Sequence, residues 1–174
     1  MNEVIQNIIQ RRSCKSFLPD AVPTELIEQV IEAGLFAASG GGRQAPVILA
    51  VADKETRDQL SRLNSKYDSL GRKDPFYGAP VVLAVLVEKS IPTAVYDGSL
   101  VIGNMMLAAH SLGIGSCWIH RAKEVFEDDE AKALLKAQGL AGEYIGIGHC
   151  VLGYPAVENK NVIPRKENRV YRVY

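Results

Sequence analysis

The sequence has no apolar stretch long enough to cross a membrane. Its longest sustained run, residues 81–87, is strand-sized, whereas a membrane helix needs about 20 apolar residues. The start, MNEVIQNIIQRRS, has acidic and amide residues before a short apolar run. It lacks the basic opening and small-residue cleavage site of a signal peptide. Cysteine is scarce: Cys14, Cys117 and Cys150 are all there is. Their spacing matches no zinc motif, and an odd number suits no simple disulfide framework. Three reduced thiols in a cytoplasmic protein, with no metal, are therefore expected. Net charge is absent as well, because 20 basic residues balance 20 acidic ones. That excludes broad attraction to nucleic acid or to an anionic membrane. Internal repeats and low-complexity segments are missing too. So are the Gly-x-Ser-x-Gly elbow, the His-Glu-x-x-His zinc motif, the Walker loop and the dinucleotide fingerprint.

What is present is an ordinary globular composition. With 174 residues, 47% of them hydrophobic and 23% charged, the chain is one domain able to bury a core. Helical spacing places Val4, Ile5, Ile8 and Ile9 on one face of residues 2–11, and a second helix opens at Pro23 and runs to about Phe36. Residues 47–52 read as a buried strand, 53–63 as a helix, and 64–78 as a polar surface loop. Residues 81–87 are the clearest strand. Residues 97–112 form a helix apolar nearly all round, which places it centrally or in an oligomer interface. Gly113 is its C-cap. Residues 115–119 are strand-like and 124–138 an amphipathic helix. The acidic run Glu127–Glu130 offsets a helix N-terminal dipole. Residues 144–153 form a strand whose Gly146 and Gly148 signal close approach of another backbone. The polar tail, about residues 156–174, is an extended arm. This order is α/β or α+β.

Four constellations could carry chemistry. Arg11, Arg12, Ser13 and Lys15 gather fork-shaped guanidinium donors, a hydroxyl and an ammonium at a helix end, as a phosphate site requires. The same cations would also suit the negative end of the helix dipole. Ser39, Gly40, Gly41 and Gly42 form a loop whose glycines would let backbone press on a flat ligand, or simply connect two elements. Trp118, Ile119 and His120 stand at a strand end, where sites are often placed. Arg165 and Lys166 lie in the arm and matter only if it folds back towards Arg11. His110 and His149 read as packed or hydrogen-bonded residues.

In this order the four pieces resemble the nitroreductase family. Arg11–Phe17 fits its N-terminal signature, Arg-Arg/His-Ser-x-Arg/Lys-x-Phe/Tyr. Residues 38–46 resemble its Pro-Ser-Ser/Ala-x-Asn-x-Gln-Pro-Trp-like loop and keep the spacing from Ser39 to Gln44. Leu112–Ile119 and Val151–Pro155 also match. Ala38, Gly42 and Pro46 depart from the usual Pro, Asn and Trp, and His120-Arg121 replaces a small or acidic pair.

The resemblance implies an α+β fold: a central mixed β-sheet flanked by helices, in a homodimer with the long helix at the interface. It implies FMN as cofactor, NAD(P)H as electron donor and a small organic acceptor such as a nitroaromatic or quinone, with ping-pong kinetics. Arg11, Arg12 and Ser13 would hold the phosphate and ribityl chain, helped by Arg165 or Lys166. Ser39, Gly40 and Gly42 would come from the partner subunit. Lys15 would sit near N1 and O2 of the flavin, and a backbone amide near His120 would meet N5. Trp118 and Ile119 belong to the same strand end. No side chain need act as a strict acid or base, so no catalytic residue is assigned. A flavin carrier or sensor without turnover is the alternative, and dehalogenating or flavin-consuming relatives would need lid segments that a chain this short has little room for.

Overall fold

The computed structural model describes residues 1–157 and 159–174. In chain order it holds α1 (Glu3–Gln10), α2 (Thr24–Leu35), a 3-10 turn (Gly40–Gly42), β1 (Val47–Val51), α3 (Lys54–Ser65), β2 (Val81–Glu88), α4 (Ala94–Ser111), β3 (Gly115–Ile119), α5 (Ala122–Glu127), α6 (Asp129–Ala137) and β4 (Tyr144–Gly153).

The sheet order is β1-β2-β4-β3, with antiparallel pairing throughout. The expected mixed character is confined to one parallel bridge, Ser13–Ser116, beside the antiparallel bridge Phe17–Pro155. Strands alternate their side chains between two faces, and β2 does so cleanly. Val81, Leu83, Val85 and Val87 join Val30, Ile102 and Met105 under α2 and α4. Val82, Ala84 and Leu86 join Leu60, Leu63, Phe76, Phe126 and Leu135 under α3, α5 and α6. With both faces covered, β2 is a continuous apolar run. β1, expected to be buried, is an edge strand and is only partly so.

Local chemistry sets the helix limits. The Asn2 and Asp53 side chains accept the amides of Val4 and Thr56, each at 2.9 Å, and so cap α1 and α3. The stretch expected as one helix over 124–138 is two. Asp128 is extended (ψ 140°) and accepts the Glu130 amide, so the acidic run starts α6. α4 starts three residues before the expected Asp97 and ends where Gly113 (φ +73°) turns left-handed. Gly34 lets α2 lie close to α4, since a Cβ there would stand 2.7 Å from Met105. Gly146 marks the expected close approach of backbone, that of Ala122, whereas Gly148 makes room for the Trp118 ring.

Several apolar surfaces are left uncovered in the single chain. α1 buries none of its residues, and Val4, Ile5, Ile8 and Ile9 are exposed. Tyr96 and Leu100 of α4 and Phe36 after α2 are exposed too. Residues 159–174 have no regular secondary structure and are exposed, with Val162, Ile163, Val170, Tyr171 and Val173 among them.

Candidate functional site

α1 ends where Arg11 becomes extended (ψ 132°), and the chain then runs beside β3. The Cys14 amide donates to the Ser116 carbonyl at 2.9 Å. In extended chain, residues two apart share a side, so Arg11, Ser13 and Lys15 face together. Their shared neighbour is Cys117. Burial raises its thiol pKa, and the Ser13 hydroxyl, Lys15 and Arg11 oppose the rise. Arg11 is half-buried, and its Nη1 is buried with no hydrogen-bond partner among the described residues. Such a donor is costly to leave unpaired.

Arg12 points elsewhere. Its Nη1 donates to the Ile9 carbonyl at 2.7 Å and the Arg11 carbonyl at 2.9 Å, and its Nε donates to the Asn161 carbonyl at 3.1 Å. In the single chain Arg12 therefore serves the end of α1 and ties down the arm, which is the dipole role its position also suggested. Asn159 adds a bond to the Ser13 carbonyl at 3.2 Å. A cavity of about 260 Å³ lies against this segment, between Arg12, Ser13, His110, Gly115, Ser116 and Asn159. Burial, then Arg11 and Arg12, lower the His110 pKa.

The end of β3 splits the residues expected there. The Trp118 ring packs against Gly148 and Ile102 on the α4 side, and Ile119 is buried in the opposite core. His120 is exposed, and its carbonyl accepts a 2.8 Å bond from Asn64 Nδ2. Arg121 then adopts φ +77°, a left-handed conformation uncommon for a residue with a side chain.

The glycine loop is fixed rather than a loose connector. The Gly40 amide donates to Asp97 Oδ1 at 3.0 Å, and the Thr93 hydroxyl donates to Oδ2 of the same carboxylate at 2.7 Å. Ser39 Oγ accepts the Gln44 amide at 2.9 Å. Gly41, Gly42 and Gln44 all have positive φ. Arg165 and Lys166 are exposed in the arm, and no hydrogen bond or ion pair among the described residues joins them to Arg11.

Two halves of the expected site are thus held apart. Gly40 docks on Asp97 in the first turn of α4, while Asn7 of α1 donates to the Leu107 carbonyl in its last turns. The ten residue steps from Asp97 to Leu107 rise roughly 15 Å along the helix axis. The structure brings Arg11, Ser13 and Lys15 together, and it sets Ser39, Gly40 and Gly42 of the same chain at the other end of α4.

Sequence reasoning missed the anchors. Asn64 (1% exposed) and Asp97 (3% exposed) are buried polar residues. Asn64 follows Leu60 and Leu63 on the buried side of α3, so a polar residue at an apolar position was the available signal. The loop before β2 is anchored by Asp74, which accepts from Arg57 Nη2 and Ser61 Oγ at 2.6 Å and from the amides of Phe76 and Gly78. Burial, which would raise the Asp74 pKa, is outweighed by these donors, and the carboxylate stays below its ordinary range.

Comparison with known proteins bears on the fold and the family. A crystal structure of a nitroreductase with bound FMN from Bacteroides fragilis shares the fold over the full length of both chains, with a TM-score of 0.85 and 29% identity. Another, from Desulfitobacterium hafniense and also with bound FMN, gives a TM-score of 0.89 and 26% identity over 99% of this chain and 100% of that one. An Archaeoglobus fulgidus protein, whose name proposes an NADH dehydrogenase or NAD(P)H nitroreductase, is 29% identical over 162 residues, covering 91% of this chain and 88% of its own. The model of the nitroreductase family matches residues 8–154. The chain belongs to the nitroreductase family.

Proposed function

We propose that this chain is an NAD(P)H-dependent FMN oxidoreductase that reduces small organic acceptors such as nitroaromatics or quinones. The observation that carries this reading is Arg11 Nη1, a buried cationic donor beside Ser13 and Lys15 with no partner among the described residues. A phosphate monoester would supply the missing acceptor and gain a charge-assisted bond. The residues present therefore fit FMN. Arg11 and Ser13 would hold its phosphate and ribityl end. Arg12, with Arg165 or Lys166 from the arm, would add charge once the arm is docked. Bound FMN supplies the two-electron redox chemistry that side chains lack. Lys15 keeps an ammonium on the same side as Arg11 and offsets negative charge there. The left-handed Arg121 backbone stands just past the end of β3, and strain of this kind often gathers at functional sites. The described residues hold no cluster of three metal-ligating side chains, and no acid or base role falls to any side chain. One pocket would serve donor and acceptor in turn, so ping-pong kinetics are expected.

We further infer a homodimer. Antiparallel packing of two α4 helices about a two-fold axis would place the Ser39–Gly42 loop of one subunit beside Arg11–Lys15 of the other. It would also cover the exposed apolar faces of α1 and α4 and give the arm a partner surface. The electron acceptor is the remaining partner, and neither nucleic acid nor membrane is required. No described helix is long and apolar enough to cross a membrane. We place the protein in the cytoplasm, where three buried free thiols stay reduced.

The test is a visible spectrum of the purified protein, followed by anaerobic addition of NADPH or NADH. A yellow protein that bleaches is the expected result. A yellow protein that stays oxidised would favour a carrier or sensor. A colourless protein unable to take up added FMN would refute the flavin reading.

A further inference from the structure

The peptide joining His120 to Arg121 is held by a residue that no motif singles out. Asn64 lies in the last turn of α3 with 1% exposure, and its Nδ2 donates to the His120 carbonyl at 2.8 Å. The described chain has no cis peptide bond, so the N–H of this unit points opposite to its C=O. With the carbonyl turned inward to Asn64, the Arg121 N–H is turned away from α3. Among the described residues no backbone carbonyl takes it up, although the Arg121 carbonyl accepts the Val125 amide at 3.0 Å. The orientation requires φ +77° at Arg121, which an L-residue adopts only when its surroundings impose it. The buried Asn64 bond fixes the His120 side of this peptide, and the start of α5 fixes the Arg121 carbonyl.

We propose that Asn64 is a positioning residue, and that the Arg121 N–H it orients is the donor presented to N5 of the flavin. The inference rests on the flavin reading above and narrows it to one amide and the side chain that aims it. Without Asn64 the peptide is free to rotate, and a residue with a Cβ would leave the left-handed region. A glycine at 121 has no such preference and would tolerate the loss.

The experiment has two arms. In the first, FMN is added to cofactor-free, isotope-labelled protein, and the Arg121 amide resonance is followed. A large shift of that amide is expected. FMN binding that moves the Ser13 amide but leaves Arg121 in place would overturn the proposal while the flavin reading stood. No FMN binding would remove both. The second arm compares FMN dissociation constants and flavin midpoint potentials for Asn64→Ala, Arg121→Gly and the pair. Asn64→Ala should weaken FMN roughly tenfold and shift the potential. In the Arg121→Gly background the same change should cost roughly threefold or less. Equal losses in both backgrounds would mean that Asn64 is merely structural. If Asn64→Ala does not fold, the amide shift of the unaltered protein still decides.

Discussion

Replacing Arg11 with Met separates binding from stability. The methionine keeps much of the apolar stem and deletes the guanidinium, including the buried, unpaired Nη1. An unsatisfied buried donor costs about 1–3 kcal/mol, so its removal offsets the lost packing. The cofactor-free variant should unfold within about 1 kcal/mol of the parent, on either side. FMN affinity should move the other way. A hydrogen bond to a charged group is worth about 1.5–3 kcal/mol, which corresponds to roughly 10–150-fold in the dissociation constant. The two effects meet in one assay, urea unfolding with and without FMN at fixed protomer concentration. At free FMN 100 times the parent's dissociation constant, the parent gains about 2.7 kcal/mol. A variant weakened 10- to 100-fold gains only about 1.4 to 0.4 kcal/mol. A cofactor-free variant destabilised by more than about 2 kcal/mol, with unchanged FMN affinity, would show that Arg11 is structural and would refute the argument.

Three further outcomes are expected. His149 is wholly buried between Phe76 and Phe126, and neither ring nitrogen has a hydrogen-bond partner among the described residues. Burial pulls its pKa down to about 4, and the nearby Ile119 backbone opposes this only weakly, without a bond of good geometry. Its folded pKa lies below the unfolded one, so the stabilisation is complete above about pH 6.5 and is lost as pH falls towards 4. The parent should therefore lose roughly 2–3 kcal/mol more than His149→Leu between pH 7.5 and 4.5, read by urea unfolding; parallel pH profiles would contradict this. Lys15→Met should slow NAD(P)H-driven bleaching by on the order of tenfold, with FMN still bound, as stopped-flow absorbance would report. Gly148→Ala would bring a Cβ within 2.8 Å of the Trp118 ring and 2.9 Å of Ile102, and should destabilise by about 1–3 kcal/mol, visible as a lowered Tm and altered tryptophan fluorescence.

The sequence showed most of the fold because periodicity reports burial directly. β2 reads as an uninterrupted apolar strand since helices cover both its faces. The edge position of β1 was not legible, because Val47–Val51 is as apolar as a central strand and only the pairing order exposes one side. The break at Asp128 was hidden for a related reason: α5 and α6 share one amphipathic pattern, and a backbone angle separates them. That cations and a hydroxyl gather at Arg11–Lys15 was readable from residue types. The separate orientation of Arg12 was not, since adjacent residues take opposite sides only where the chain is extended. Asn64 and Asp97 stayed silent because each acts on a backbone group distant in sequence, 56 and 57 positions away.

The same long-range geometry makes the dimer testable without a complex structure. Within one chain the glycine loop and the Arg11 segment sit towards opposite ends of α4. If each site takes one half from each subunit, two damaged chains can repair each other. Arg11→Met would remove the phosphate donor. Gly42→Val would force a β-branched residue into φ +65°, a strained conformation that should distort the loop. Either variant alone forms dimers with two damaged sites. In a mixed dimer, isolated by two affinity tags, both lesions fall in one site, and the other combines an intact Arg11 segment with an intact loop. That dimer should bind about one tightly held FMN where the parent binds about two, and should recover roughly half the parent's NAD(P)H-dependent activity. If both halves served a cofactor within their own chain, every site in the mixed dimer would carry a lesion and nothing would be restored. Recovery would assign the loop to the partner subunit, and its absence would refute the shared site.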